Sequence, residues 1–365
     1  MLNNKYIERT ERTLNFFRDK TPGKVLITNA GNGVPILDLY WLSMFMNRPI
    51  EEYLNLKAVS KGSDNLLSEL RSKKNITFHF DDDTIPTFEV FFSVGGTTAM
   101  MSGKDPIFLS DTGWCEPLLQ DITEFKKLQF DPDNPWVRFN VMVTKDLINK
   151  WEGDFALMPA FHRSPLDAAN SLRGDDIYLD MYDHEEDVIR LVEACADWSL
   201  ALENHLNEVL YFPPGLRRGV WGVTLPDKAV IVNGDPVDLI NGEQQQKFDR
   251  FSCEKIFTNT GGGFFHHHAL GMRQAGNVSL TRGILVQNIY TDPGLPSPIN
   301  SLINNENLCK NIIEASLRTP IHLNGDFYPI IDKLLPVLSQ GRFILKHENI
   351  ENLPLLLKKL EPLRQ

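Results

Sequence analysis

From residue 24 onward, short apolar runs that end in polar or glycine-rich clusters alternate with longer segments of helical periodicity. The runs predicted as strands are 24–29 (KVLITN), 76–81 (ITFHFD), 155–160 (FALMPA), 229–234 (AVIVNG), 263–268 (GFFHHH), 284–290 (ILVQNIY), 320–325 (PIHLNG) and 342–347 (RFILKH). Their length and punctuation are those of buried strands. Between them, helical segments are predicted over 37–47, 164–173, 184–210, 243–257, 305–316 and 328–339. Ahead of the first strand, residues 3–20 place Ile7, Leu14 and Phe17 near helical spacing among charges, and Thr21-Pro22-Gly23 ends that helix.

Strand–helix alternation predicts an α/β fold with a parallel sheet. Eight strands over this length predict a closed TIM (β/α)8 barrel. The expected organisation is one domain over 1–365, with an N-terminal helical extension (1–22) and an elaboration near the barrel mouth at about 84–150. No G-x-G-x-x-G opens a helix after the first strand and no G-x-x-x-x-G-K-[ST] occurs, so the two commonest nucleotide cradles are absent.

Composition narrows the function classes. The 365 residues carry 37 Lys+Arg against 48 Asp+Glu, a net charge of −11, which argues against a nucleic-acid binder. The four cysteines, Cys115, Cys195, Cys253 and Cys309, show no C-x-x-C spacing, which argues against a zinc ribbon or a disulfide scaffold. No run approaches the length of a membrane span and the first residues lack a signal-peptide core, so a cytoplasmic protein without membrane partners is expected.

In a barrel of this kind chemistry belongs at the C-terminal strand ends. Those ends carry Asp81-Asp82-Asp83, His162-Arg163, Asn233 and Asp235, His266-His267-His268, Gln287 and Asn288, Asn324 and Asp326, and His347-Glu348. Alternation puts His266 and His268 on one face and His267 on the other. His266 or His268 with His347 and an aspartate of the triplet, or with Glu348, would make a nitrogen and oxygen ligand set for zinc. The same histidines also suit metal-free acid–base work. Bland roles are open as well: the aspartates as turn or cap formers, His347-Glu348 as the start of a helix. His184, His205 and His322 join no constellation in the sequence.

The segment MPAFHRSPLDAANSLRG (158–174), followed by Tyr178-Leu179-Asp180-Met181-Tyr182-Asp183, resembles the G-x-P-x-T-L-A-x-x-L-x-G block of the uroporphyrinogen decarboxylase superfamily. Residues 232–240 are similar to the strand carrying D-x-x-x-x-L-[IS]. Residues 262–271 are similar to the strand reading H-x-C-G in the methyltransferase branch, and 342–349 to the strand carrying G-H-G in the decarboxylases. The resemblance spans roughly residues 20–360 and implies a TIM-type barrel, with a homodimer among its expected states. Two departures stand out. Where the decarboxylases hold substrate carboxylates with two arginines after the first strand, this chain has Thr28 and Asn32. Where the methyltransferases ligate zinc through cysteines, it has His268 or Ala269 and His347.

The leading expectation is an enzyme of this superfamily catalysing metal-assisted methyl transfer from a small molecule, with zinc at His266, His268, His347 and Glu348 and a corrinoid on a partner protein. Asp82, Asp83, His162 and His347 are its candidate catalytic residues, and Asn29, Asn32, Arg163, Asn233, Asp235, Gln287 and Asn288 its candidate substrate contacts. The alternative is a carboxy-lyase without cofactor, in which Asp82 or Asp83 stabilises a cationic intermediate. A third reading is a barrel that binds a ligand without catalysis.

Overall fold

The computed structural model describes residues 4–29, 49–72, 78–109, 112–291 and 294–364. Its strands are β1 (Lys24–Asn29), β2 (Thr87–Glu89), β3 (Ile107–Phe108), β4 (Gly113–Trp114), β5 (Ala156–Met158), β6 (Phe161–Arg163), β7 (Arg218–Val220), β8 (Val223–Leu225), β9 (Val230–Asn233), β10 (Gly263–His268), β11 (Ile284–Tyr290), β12 (Ile321–Gly325) and β13 (Arg342–His347). Parallel ladders join seven of them in the order β1–β13–β12–β11–β10–β9–β6, and β2 pairs in parallel with β5. The fold is therefore mixed α/β on a seven-stranded parallel sheet. Two antiparallel hairpins, β3–β4 and β7–β8, stand apart from it. The helices expected at 164–173, 184–210 and 305–316 appear as Pro165–Arg173, Glu185–Val209 and Glu306–Arg318. The segment 37–47 lies outside the described residues.

Pleating assigns each side chain to a face. Val25 and Ile27, Ile289, Ile321 and Leu323, and Phe343 and Leu345 pack against flanking helices through Ile312, Leu353 and Leu356. The residues between them face the opposite, inner side. Leu26, Phe161, Ile231, Phe264, Val286 and Ile344 meet there with Val220 and Val223 of the β7–β8 hairpin and Phe16 and Phe17 of helix Asn4–Arg18. Truncating a buried ring such as Phe264 to alanine would cost roughly 3–5 kcal/mol.

The β7–β8 hairpin turns on two residues, Trp221 (φ 47°) and Gly222 (φ 85°). That is the geometry of a type I′ turn, in which both central residues need positive φ. Glycine takes it freely, whereas the tryptophan carries a strain of about 1–2 kcal/mol. It is held there because its N–H donates to Glu89 at 2.7 Å and its ring meets those of Phe264 (5.5 Å) and His266 (4.9 Å). The hairpin thereby forms a floor on the inner face.

One strand expectation is corrected. Residues 78–82 form turns and bends, and 76–77 lie outside the described residues; the strand is β2, which begins eleven residues after the expected start. Phe78 and Phe80 do pack against apolar neighbours, but without a ladder. Phe78 packs with Tyr6, Ile85 and Ala156, under the Arg9 guanidinium at 5.1 Å, and Phe80 packs on the helix-facing cluster. The stretch expected as elaboration, 84–150, consequently contains β2.

The aspartates after Phe80 join both chain ends to the sheet. Arg9 lies 2.9 Å from Asp82, Arg12 lies 2.6 Å from Asp83, and Arg364 of helix Leu353–Arg364 reaches Asp83 at 3.4 Å. Asp83 also runs along β1: its N–H donates to the Ile27 carbonyl and its carboxylate accepts from the Ile27 N–H, each at 2.7 Å. Arg9 and Asp82 are both almost fully buried. Breaking such a pair leaves an uncompensated charge, so Arg9→Met is expected to lose about 3–5 kcal/mol in urea unfolding. Adding Asp82→Asn should recover part of that loss. A loss below about 1 kcal/mol would show that the pair is not part of the folded core.

Candidate metal centre

β10 is the sequence GFFHHH, and its pleat sends Phe264, His266 and His268 to the inner face and Phe265 and His267 to the helices. His267 is held on that outer side, its Nε2 accepting from the Gln287 amide at 2.7 Å and its Nδ1 donating to the His268 carbonyl at 3.1 Å. Gln287, an expected substrate contact, is therefore committed to the helix-facing layer.

On the inner face the 3₁₀ turn Asp235–Asp238, which follows β9, brings Asp235 to His268, with Oδ1 3.4 Å from Nε2. Asp235, His266 and His268 each offer a ligand atom within 4.8 Å of the other two. Ligands around a tetrahedral zinc lie roughly 3.4 Å apart, so a bound ion would draw these side chains slightly together. Asn233 donates to Asp235 Oδ2 at 2.8 Å, whereas the buried Oδ1 accepts no hydrogen bond among the described residues. That orphaned acceptor, beside two imidazoles, is the donor set a hard or borderline divalent cation takes.

The tautomer of His266 is fixed by its neighbour. The Asn288 amide nitrogen donates to His322 Nδ1 at 3.0 Å and to the His322 carbonyl at 3.2 Å, which leaves Asn288 Oδ1 to accept from His266 Nδ1–H. His266 Nε2 is left as a bare lone pair, as a metal ligand requires. Burial, and secondarily the proximity of His268, drop the His266 pKa to about 4, so the ring is neutral at pH 7.

The remaining expected site residues fall elsewhere. His347 follows Lys346 on β13 and takes the opposite face, where it is buried, accepts from the Phe327 N–H at 3.3 Å and contacts Asn352 Oδ1. It does not join His266 and His268. Glu348 accepts from Asn324 at 3.0 Å beyond the strand end. His162 is on the helix-facing side, 2.9 Å from Glu203, which Arg218 also engages at 3.3 Å. Asp82 and Asp83 are bound to arginines, and Asn29 to Asp82. Asn32 lies outside the described residues. Of the expected set, then, Arg163, Asn233, Asp235, His266, His268 and Asn288 converge on the inner face.

The sequence reading passed over Glu89, Tyr290, His322 and Lys346, all on that face or its rim. For His322 and Lys346 a signal existed. Each sits between outward apolar residues of its strand, Ile321 and Leu323 in one case and Leu345 and outward His347 in the other. Tyr290 lies 5.9 Å from His266, ring to ring, and also lines a cleft of about 540 Å³ with Asn324, Asp326 and Glu348. Among the described residues no helix is long and apolar enough to cross a membrane.

Asp167 supports the site from below, accepting from Arg163 at 2.8 Å and from Asn233 at 3.3 Å. Burial, opposed by the Arg163 charge, pushes its carboxyl up to about 7. The unfolded carboxyl titrates near ~3.9, so between those values the folded state binds more protons and stability falls as pH rises. Asp167→Asn lacks that dependence. Relative to the parent it should become more stable between about pH 5 and about pH 8 in urea unfolding; a constant difference would place the Asp167 titration elsewhere.

Comparison of the chain with protein-family models and with curated proteins gave no match in either case.

Proposed function

We propose that this chain is a TIM-type barrel enzyme of the uroporphyrinogen decarboxylase superfamily that holds a divalent cation, most simply zinc, at Asp235, His266 and His268 and acts on a small polar molecule. The observation that carries the reading is the cluster of those three side chains on the inner face, at the C-terminal ends of β9 and β10. The order of the ladders supports the barrel. If β5 and β6 are one strand interrupted at Pro159-Ala160, the parallel strands run in chain order through eight positions. The two Asp83–Ile27 hydrogen bonds then span the remaining seam between β1 and β2.

Between the two chemistries that the resemblance suggests, the geometry favours the metal-assisted one. Asp82 and Asp83, which a metal-free decarboxylation would need beside the substrate, are neutralised by Arg9, Arg12 and Arg364. Bound at the cluster, zinc supplies Lewis acidity toward an oxygen or nitrogen of the substrate. Within that frame Asn288 keeps His266 Nε2 free of a proton, and Asn233 orients Asp235. Tyr290 stands between the cleft and the two histidines, with its phenol pKa raised by burial and by Glu348. The methyl group removed from the substrate would pass to a corrinoid on a partner protein.

Protein purified without a histidine tag should bind about one equivalent of Zn²⁺ in calorimetric titration. Asp235→Ala and His266→Ala should each weaken that binding at least about tenfold, and His347→Ala should leave it unchanged. Absence of binding, or binding indifferent to Asp235 and His266, would remove the metal. With zinc bound, methylcobalamin formation from cob(I)alamin and a panel of methyl ethers and methylamines tests the transfer. Failure across the panel would leave a metal enzyme of another reaction class.

A further inference from the structure

Starting two strands from β10, four polar groups lie side by side on the inner face of β12, β13 and β1. Lys346 is in register with Thr28 on one side and with Asn324 on the other, and His322 is the next inner-face residue along β12. Thr28 Oγ1, Asn324 Oδ1 and His322 Nε2 are buried and have no hydrogen-bond partner among the described residues. Lys346 is half-buried and, among the described residues, makes neither a hydrogen bond nor an ion pair. Roughly nine in ten buried polar groups are paired, so three adjacent buried orphans beside a lysine ammonium call for a ligand.

Their chemistry selects its charge. Lys346 brings an ammonium and Thr28 a hydroxyl. His322 brings an N–H at Nε2, because its Nδ1 already accepts from Asn288. Two carboxylates act on Lys346: Glu89, which also accepts from the Trp221 backbone N–H at 2.7 Å, and Glu348, which also accepts from Asn324 at 3.0 Å. One cation between two acidic residues suits a single negative charge and disfavours a dianion. Burial lowers the Lys346 pKa, with Glu89 and Glu348 opposing it, and a bound anion would favour the charged ammonium.

We propose that Lys346, His322 and Thr28 form a subsite for the carboxylate group of a small organic substrate, with Asn324 Oδ1 accepting from a hydroxyl or amine on the same molecule. Asn324 also lines the cleft, which gives the subsite its entrance. It uses none of Asp235, His266 and His268, so it stands or falls independently of the metal.

The test is lysine acylation of the full chain, read by peptide mass spectrometry. It is run with acetate, glycolate or benzoate, with inorganic phosphate, and with chloride at matched ionic strength. At least one carboxylate is expected to slow labelling of Lys346 about tenfold while other lysines are unaffected, and phosphate is expected not to. The same carboxylate should raise the Tm of the parent and of Lys346→Arg but not of Lys346→Met. Lack of protection by every carboxylate, or equal stabilisation of Lys346→Met, would overturn the subsite. Protection by phosphate alone would overturn the assigned ligand class. If Lys346→Met does not fold, the labelling arm decides.

Discussion

The two-residue period of the pleat governs nearly everything on the inner face. In the ladders around the candidate site, parallel pairing keeps like-facing residues at one level, so His266 meets Asn288 and Asn324 meets Lys346. The single irregularity in β10, between Gly263 and Phe264, precedes the histidines and leaves them in phase with β11. A one-residue slip would send His266 and His268 among the helices and bring His267 inward. The packed apolar faces on both sides of the sheet therefore position the polar groups as well as stabilising the fold.

Seven of the eight strand segments were readable because each couples a short apolar run to a polar end. The eighth was missed for a physical reason. β2 has only three residues, one of them the buried Glu89, whereas ITFHFD has the alternation of a strand and its Phe78 is buried against Tyr6 of the N-terminal helix. Of the candidate site, the His266 and His268 pair followed from alternation alone. The pairing with Asp235 did not, since it depends on how the turn after β9 folds back. His347 misled for the opposite reason, because its place at a strand end was legible but its face was not weighed. Applied to every strand, the same parity argument separates His162, Gln287 and His347 from the site and admits His322 and Lys346.

Charge is distributed with a similar division. The arginines near the chain ends, Arg9, Arg12 and Arg364, are consumed by Asp82 and Asp83, and this joins the terminal helices to β1. Arg163 is paired with Asp167. On the inner face Lys346 lies between the charges of Glu89 and Glu348, directly beside Thr28, one of the two positions where the resembling decarboxylases carry an arginine. A neutral residue on one strand need not mean a neutral pocket when the adjacent strand presents a base at the same level.

The β7–β8 hairpin adds a different kind of consequence. Its tip, Trp221-Gly222, touches Glu89 on one side and His266 on the other, yet it belongs to neither the parallel sheet nor the helical layer. The inner face is thus closed by an element separate from the strands that carry His266 and His268. Exchanging the indole for a smaller side chain would open space beside Phe264 and His266 while the strand registers stay fixed. The room on this face and the placement of its polar groups are in this sense separable.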